Sequence, residues 1–232
     1  MDELPVALPE ERISRLRLLV EEVLRVNQQF NLTAVREAEE AWIKHVLDSL
    51  QGLRTGLFEG HRRVVDIGAG AGFPGLVLAV ARPELKVTLV EATRKKCDFI
   101  TATARKFELN AKGLCERAEV VGQDKVRRES FNLATARAVG SLSEVCELAL
   151  PLVKVGGHAV LWRGPQAHEE VADARGAIKT LGGASKEPVS YCLPGHEPDY
   201  HLVLIEKVRP TPAQYPRRVG IPKQRPLREV HP

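Results

Sequence analysis

Apolar residues recur along the first quarter of the chain at helical spacing. In residues 9–29 (PEERISRLRLLVEEVLRVNQQ), Ile13, Leu16, Val20, Val23 and Leu24 fall near one face of a 3.6-residue repeat, and Pro9 suits a first helical turn. A second stripe, Trp42, Ile43, Val46, Leu47 and Leu50, predicts a helix over about 37–51, before Gly52. From residue 64 the pattern changes. Short β-branched runs at 64–67, 86–91, about 116–121, 131–137 and 158–163 alternate with helical stretches near 74–82, 94–109, 141–153 and 166–181. Strands regularly separated by helices need crossover connections, which predicts a parallel sheet covered on both faces. The runs PVSYC (188–192) and HLVLIEKV (201–208) have only the turn-rich LPGHEPDY between them, so the sheet should end in an antiparallel pair. The expected fold is α/β: a doubly wound, mainly parallel sheet with an antiparallel last strand, preceded by a helical cap. This divides the chain into a helical extension (1–60), a sheet core (61–209) and a tail (210–232) with too many prolines for regular structure.

Composition narrows the class. At 232 residues, 44% hydrophobic and 28% charged, the chain can bury a full core without disulfides or metal. No run approaches the roughly 18 apolar residues of a membrane span. The start, MDELPVALPEER, has neither the basic region nor the apolar run of a secretory signal, so a soluble, cytosolic chain is expected. Cys97, Cys115, Cys146 and Cys192 are far apart with no C-x-x-C, and are read as buried thiols; no metal site is expected. The net charge of +4 is unevenly placed. Lys207, Arg209, Arg217, Arg218, Lys223, Arg225 and Arg228 against Glu229 put +6 on residues 207–232, leaving −2 for the rest. A slightly acidic body with a basic tail points to a polyanionic partner for one edge.

The sharpest local signal is VVDIGAGAGFPG (64–75). An apolar strand delivers the chain to Gly68, Gly70, Gly72 and Gly75, and Pro74 stands where a helix would begin, so the segment reads as a ligand-cradling strand, turn and helix. Gly70, Gly72 and Gly75 satisfy G-x-G-x-x-G literally, and Glu91 ends the next strand at about the distance of a ribose-binding acid, so a nicotinamide dehydrogenase is one reading. The other is favoured. Glycines beginning with Gly68 directly after the strand, with Asp66 at its end, give D-x-G-x-G-x-G, which resembles class I S-adenosylmethionine methyltransferases of Rossmann-like fold. Their ligand has no pyrophosphate to cradle but carries a cationic sulfonium. Glu91 can accept from both ribose hydroxyls at the carboxyl edge of the sheet.

Several segments together make the resemblance specific: NLTAVREAEEAWIKHVLDSL (31–50), VVDIGAGAGFPG, LVEATRKKCDFI (89–100), ERAEVV (116–121), ATARAVGSL (134–142), Gly156-Gly157 and YPRRVGIPKQRPL (215–227). Over nearly its whole length the chain resembles the ribosomal RNA small subunit methyltransferase G family, also called glucose-inhibited division protein B. The resemblance implies methylation of guanine N7 in 16S rRNA of the small ribosomal subunit, with S-adenosyl-L-methionine as cofactor; a monomer is expected. It implies cofactor-binding roles for Gly68, Gly70, Phe73, Glu91, Ala92, Thr93, Ala118, Glu119 and Arg137. Arg163-Gly164 stands where the family pattern has Lys-Gly, and His201 where an Arg is common; both bear on substrate detail.

Guanine N7 carries a lone pair, so no general base is required and none is assigned. His45, Asp48 and Ser49 lie within about one helical turn; a nucleophilic triad is set aside in favour of a turn that packs over the pocket or stabilises the cap. Arg163, Arg217, Arg218, Lys223 and Arg225 are expected to meet RNA phosphates. Two alternatives stand beside this reading: methylation of another RNA or a small molecule, and an RNA-binding assembly factor that does not turn over.

Overall fold

The computed structural model describes residues 4–195 and 200–227. Helix α1 (Glu10–Asn27) carries Glu10 and Glu11 in its first turn and Arg25 in its last, each sign suited to its end of the helix dipole. It buries Leu16, Leu19, Val20 and Val23, each adding roughly 1.5–3 kcal/mol of stabilisation. The second helical region is not one helix. It runs through α2 (Ala38–Ala41), a π-helical turn (Trp42–Leu47), α3 (Asp48–Leu50) and a 3-10 turn (Gln51–Thr55) that ends at Gly56 with φ 70°. The widened turn brings His45 and Asp48 both inward, and such local widening is frequent at functional sites.

The sheet follows: β1 (Arg63–Ile67), α4 (Gly75–Ala81), β2 (Lys86–Val90), α5 (Arg94–Lys106), β3 (Ala111–Leu114) and α6 (Ala118–Gln123). Then come β4 (Phe131–Arg137), α7 (Leu142–Ala149), β5 (Val153–Arg163), α8 (Ala167–Thr180), β6 (Gly183–Ser185), β7 (Val189–Tyr191) and β8 (Tyr200–Lys207). The strand order is β3-β2-β1-β4-β5-β8-β6, with β7 also on β8. Strands β1 to β5 are parallel, and β8 runs antiparallel to β5, β6 and β7. Alternate residues supply two separate cores: Val64, Leu133, Val160 and Leu202 face one side of the sheet, and Val65, Ala134, Ala159 and Val203 the other. The chain moves outward in opposite directions from β1 and β4, which makes their carboxyl ends the crevice where open α/β sheets bind ligands.

Three expectations are corrected. The run at 116–121 is not a strand: β3 precedes it, and α6 begins at Ala118 with Val121 buried and Val120 exposed. The strand is hidden in AKGL because Gly113 packs so tightly against α5 that a Cβ would come within 2.4 Å of Thr101 Oγ1. Of the four thiols, Cys97 and Cys146 are buried, Cys115 partly so and Cys192 exposed. The tail contains a turn of helix, α9 (Ile221–Gln224), started by Pro222, and packs on the body; Arg228 lies outside the described residues.

Candidate functional site

The glycine turn joins β1 to α4 through a set of local bonds. Gly68 and Ala69 donate their N–H groups to Val90 O at 2.9 and 3.1 Å, tying the turn to the end of β2. Gly68 and Gly70 have φ of 64° and 57°, a conformation that glycine adopts without the Cβ penalty. At Gly75 the requirement is space: a Cβ would sit 2.8 Å from Asp66 Oδ2, the atom that accepts the Gly75 N–H at 2.9 Å. Asp66 Oδ1 accepts from Thr135 Oγ1 at 2.8 Å. Burial pushes the Asp66 carboxyl up to about 7, against these two hydrogen bonds and the more distant Arg137 charge, which lower it. Asp66 therefore acts inside the turn and does not line the cleft.

Glu91 does both. Its carboxylate accepts from Gly70 N at 3.0 Å and from Thr93 N at 2.7 Å, so it fixes the turn and the start of α5. Each oxygen keeps a lone pair for a further donor. Glu91 lines a cleft of about 330 Å³ with Gly68, Ala92, Thr93, Ala118 and Glu119. Six of the nine residues expected to hold the cofactor thus share one cavity, together with Lys223, which was expected to meet RNA, and Gly70 is bonded to Glu91.

Phe73 and Arg137 stand elsewhere. The Phe73 ring stacks on His45, with centroids 4.5 Å apart and planes at 15°. Arg137, at the end of β4, donates to Asp48 Oδ2 at 2.7 Å and to Lys44 O at 2.8 Å, and lies 3.2 Å from His45 Nδ1. Burial, then the Arg137 charge, lowers His45 to about 4, so the ring is neutral at neutral pH. Its Nδ1 accepts from the arginine, and Nε2 then carries the proton toward Thr33 Oγ1, 2.9 Å away. Asp48 Oδ1 accepts from Tyr191 OH, and Asp48 O accepts from Trp162 Nε1 at 2.8 Å. Ser49 Oγ donates to His45 O, which leaves no triad. This network borders a second cavity of about 540 Å³, lined by Arg137, Trp162, Arg163, Tyr191 and Tyr200, that shares Gly140 with the first.

The basic residues separate into two groups. Arg163, expected to meet phosphate, is held by Glu170 (Nε to Oε2, 2.7 Å) and donates to Val139 O and Gly140 O at 3.2 and 3.1 Å. It pins the turn after β4, where Ala138 has φ 55°, and the bidentate fork explains why an arginine serves here. The second departure, His201, lies with Nδ1 3.1 Å from Gly164 O. Arg217 is likewise engaged: its Nη2 is 2.6 Å from Oε2 of the fully buried Glu147. Even Lys207 is buried against Glu129 at 3.0 Å. Much of the basic surplus read from the sequence is therefore internal, and Arg218 and Arg225 remain exposed with no ion pair among the described residues.

Sequence reasoning missed Tyr191 and Trp162, which meet Asp48 from distant strands and carry no motif, and gave no role to Thr33, although it stands in the NLTA segment. His45 and Asp48 did carry a signal, their one-turn spacing. No helix among the described residues is long and apolar enough to cross a membrane, and no cluster of three or more His, Cys, Asp or Glu there is placed to hold a metal ion.

A doubly wound sheet with a glycine turn and an acid at the end of β2 defines the class I S-adenosylmethionine methyltransferase fold. Solved structures agree: an S-adenosylmethionine-dependent O-methyltransferase from Thermotoga maritima has a TM-score of 0.53 at 14% identity, covering 82% of this chain and 72% of its own. A geranyl diphosphate C-methyltransferase from Streptomyces coelicolor has a TM-score of 0.51 at 16% identity, covering 70% and 80%. The profile of rRNA small subunit methyltransferase G matches residues 12–203. Relatives named ribosomal RNA small subunit methyltransferase G in Bacillus cereus and Bacillus anthracis are 38% identical over 228 residues, 98% of this chain and 95% of theirs. The chain belongs to the rRNA small subunit methyltransferase G family, and is an S-adenosylmethionine-dependent methyltransferase.

Proposed function

We propose that this chain methylates N7 of a guanine in 16S rRNA, acting as a cytoplasmic monomer on the small ribosomal subunit, with the cofactor in the first cleft and the base in the second cavity. The observation that carries the reading is Glu91, a buried carboxylate at the carboxyl edge of the sheet whose two oxygens are oriented by Gly70 and Thr93 yet keep acceptor capacity. The cleft fits S-adenosylmethionine. Glu91 would take the ribose hydroxyls, Ala92, Thr93, Ala118 and Glu119 the adenine end, and the bare backbone at Gly68 the turn, where a Cβ would strike Val139 at 2.8 Å. When bound, S-adenosylmethionine supplies a methyl group on a cationic sulfur.

The protein's share is orientation and electrostatics. Guanine N7 is a lone-pair acceptor on the major-groove edge, so the site has only to present an unstacked base in line with the methyl group. His45, stacked on Phe73, and Arg137, held by Asp48, line the second cavity. The base becomes cationic on methylation, and added positive charge nearby would oppose that. His45 is neutral at neutral pH, and Asp48 balances Arg137, so the network adds no net positive charge beside the base. Arg218 and Arg225 supply phosphate contacts, and the helical extension, core and tail serve as cap, cofactor site and RNA-facing edge.

Mass mapping of modified nucleosides in 16S rRNA from cells with and without this chain tests the proposal. Loss of one 7-methylguanosine from 16S rRNA, restored by the wild-type gene, is the expected result. An unchanged 16S map with a modification lost from another RNA or a metabolite moves the reaction elsewhere, and no modification lost anywhere leaves the assembly-factor reading.

A further inference from the structure

The tail is strapped to the body along the wall of the cofactor cleft. Arg217 is clamped by Glu147 on α7, and Gln123 Nε2 donates to Pro216 O at 2.8 Å. Pro216 packs so closely on α6 that a Cβ at Gly122 would lie 2.7 Å from its Cγ. The Gly220 N–H then donates to Glu119 Oε1 at 2.9 Å, and the next turn, α9, brings Lys223 into the lining of the cleft beside Glu116, Arg117, Glu119 and Glu144. Beyond Lys223, the Arg225 carbonyl accepts from Arg217 Nη2 at 2.8 Å, so the strap is pinned on both sides of the point where it meets the cleft.

The chemistry of that lining is one-sided. Glu91, Glu116, Glu119 and Glu144 are acceptors, and the two cations are Arg117 and Lys223. Arg117 is turned to Glu119, with Nη2 to Oε1 at 3.4 Å. Lys223 has no hydrogen-bond or ion-pair partner among the described residues and stands exposed at the mouth, where its charge reaches Glu144. An adenosine group presents acceptors there, its ring nitrogens and ribose oxygens, and an ammonium has three N–H donors and no acceptor.

Resting on the reading of this cleft as the S-adenosylmethionine site, we propose that Lys223 contacts the adenosine half of the cofactor, and that the tail is the wall that closes the adenine end. This removes Lys223 from the set of residues that meet RNA. It also gives a physical reason for the Arg217–Glu147 pair, whose burial is costly without a structural return: it sets the position of α9.

Isothermal titration of the full chain with S-adenosylhomocysteine and with 5′-methylthioadenosine, which lacks the amino-acid end, tests this. Lys223→Met is expected to weaken both ligands by about tenfold, with the ligand-free melting temperature unchanged, because one charge-assisted hydrogen bond is lost. Lys125→Met, an exposed lysine outside the cleft, is expected to leave both affinities unchanged. Equal affinities for Lys223→Met and wild type overturn the proposal and leave the cleft reading standing. Weakening of S-adenosylhomocysteine alone also overturns it, since the contact would then lie outside adenosine. A wild-type chain that binds neither ligand overturns the cleft reading and this proposal together.

Discussion

Two cavities at the carboxyl edge of the sheet share Gly140 and are built in opposite ways. In the first, the glycine-turn side is set by one turn and the strand end beside it, with α6, α7 and the tail completing the wall: β1, the glycines and Glu91 lie within 30 residues, and their orienting bonds come from backbone N–H groups. The second gathers His45 from the π-helical turn, Asp48 from the start of α3, Arg137 from β4, Trp162 from β5 and Tyr191 from β7, joined by side-chain bonds. A backbone-built site is fixed once its strand and turn form. A side-chain network depends on every partner, because the loss of one strands the others in a region of low dielectric.

The largest expected effect follows from that dependence. Asp48→Ala removes the acceptor for both Arg137 and Tyr191 OH, with the Arg137 side chain only 15% exposed. Breaking one side of such a pair costs about 3–5 kcal/mol, so denaturant unfolding should show a loss of that order, and methyl transfer should fall with it. Affinity for S-adenosylhomocysteine, measured well below the lowered melting temperature, should stay within about threefold. A loss of tenfold or more would mean that the two cavities act as one site, with Arg137 serving the cofactor as the family resemblance implies.

The contrast also explains what the sequence could disclose. Four glycines in eight residues, an aspartate at a strand end and an acid ending the next strand are all local, and a linear pattern records them. The parallel sheet and its antiparallel end were legible for the same reason, through the short β-branched runs separated by helices and the missing helix before β8. Tyr191 and Trp162 are ordinary aromatic residues until β7 and β5 bring them to Asp48. Strand β3 was obscured because close packing at Gly113 stands in for the apolar side chains that mark other strands. The tail was misread through its charge: a count of basic residues does not tell Arg217, spent on Glu147, from Arg218, open to solvent.

Asp66 in the first region and His45 in the second are both buried and shifted, and the two respond to pH with opposite sign. Asp66, in the glycine turn, is raised from 3.8 to about 7. Between those values the folded chain keeps a proton that the unfolded chain has lost, so its stabilisation is complete below about pH 3.8 and is lost as pH rises toward 7. His45, in the side-chain network, is lowered from 6.5 to about 4. Its contribution is complete above about pH 6.5 and is lost as pH falls toward 4, because the unfolded chain binds the proton first. Denaturant unfolding from pH 4.5 to 7 should therefore show stability rising more steeply with pH in Asp66→Asn than in wild type. In His45→Gln it should fall more steeply with pH, and each slope should change by about 1–3 kcal/mol across the range. A uniform drop in stability with unchanged slope would show that the replaced group does not titrate in this window.

The smallest expected effect concerns the exposed part of the tail, where neither kind of construction applies. Arg218 is one residue past the Arg217–Glu147 clamp, is exposed, and has no ion pair among the described residues. A contact of this kind with phosphate contributes affinity through counterion release and carries little sequence information. Arg218→Glu should weaken binding to purified small subunits by about two- to fivefold and reduce the slope of log affinity against log salt by roughly one. Affinity for S-adenosylhomocysteine and the melting temperature should not change, since Gly220 and Lys223 stay anchored by Arg217. Arg217→Glu gives the opposite pattern: with two carboxylates facing each other in place of the pair, the strap should detach, the melting temperature drop, and cofactor affinity fall before any effect on salt dependence is seen. If the two variants behaved alike, the division of the tail into an inner wall and an outer RNA-facing edge would be wrong.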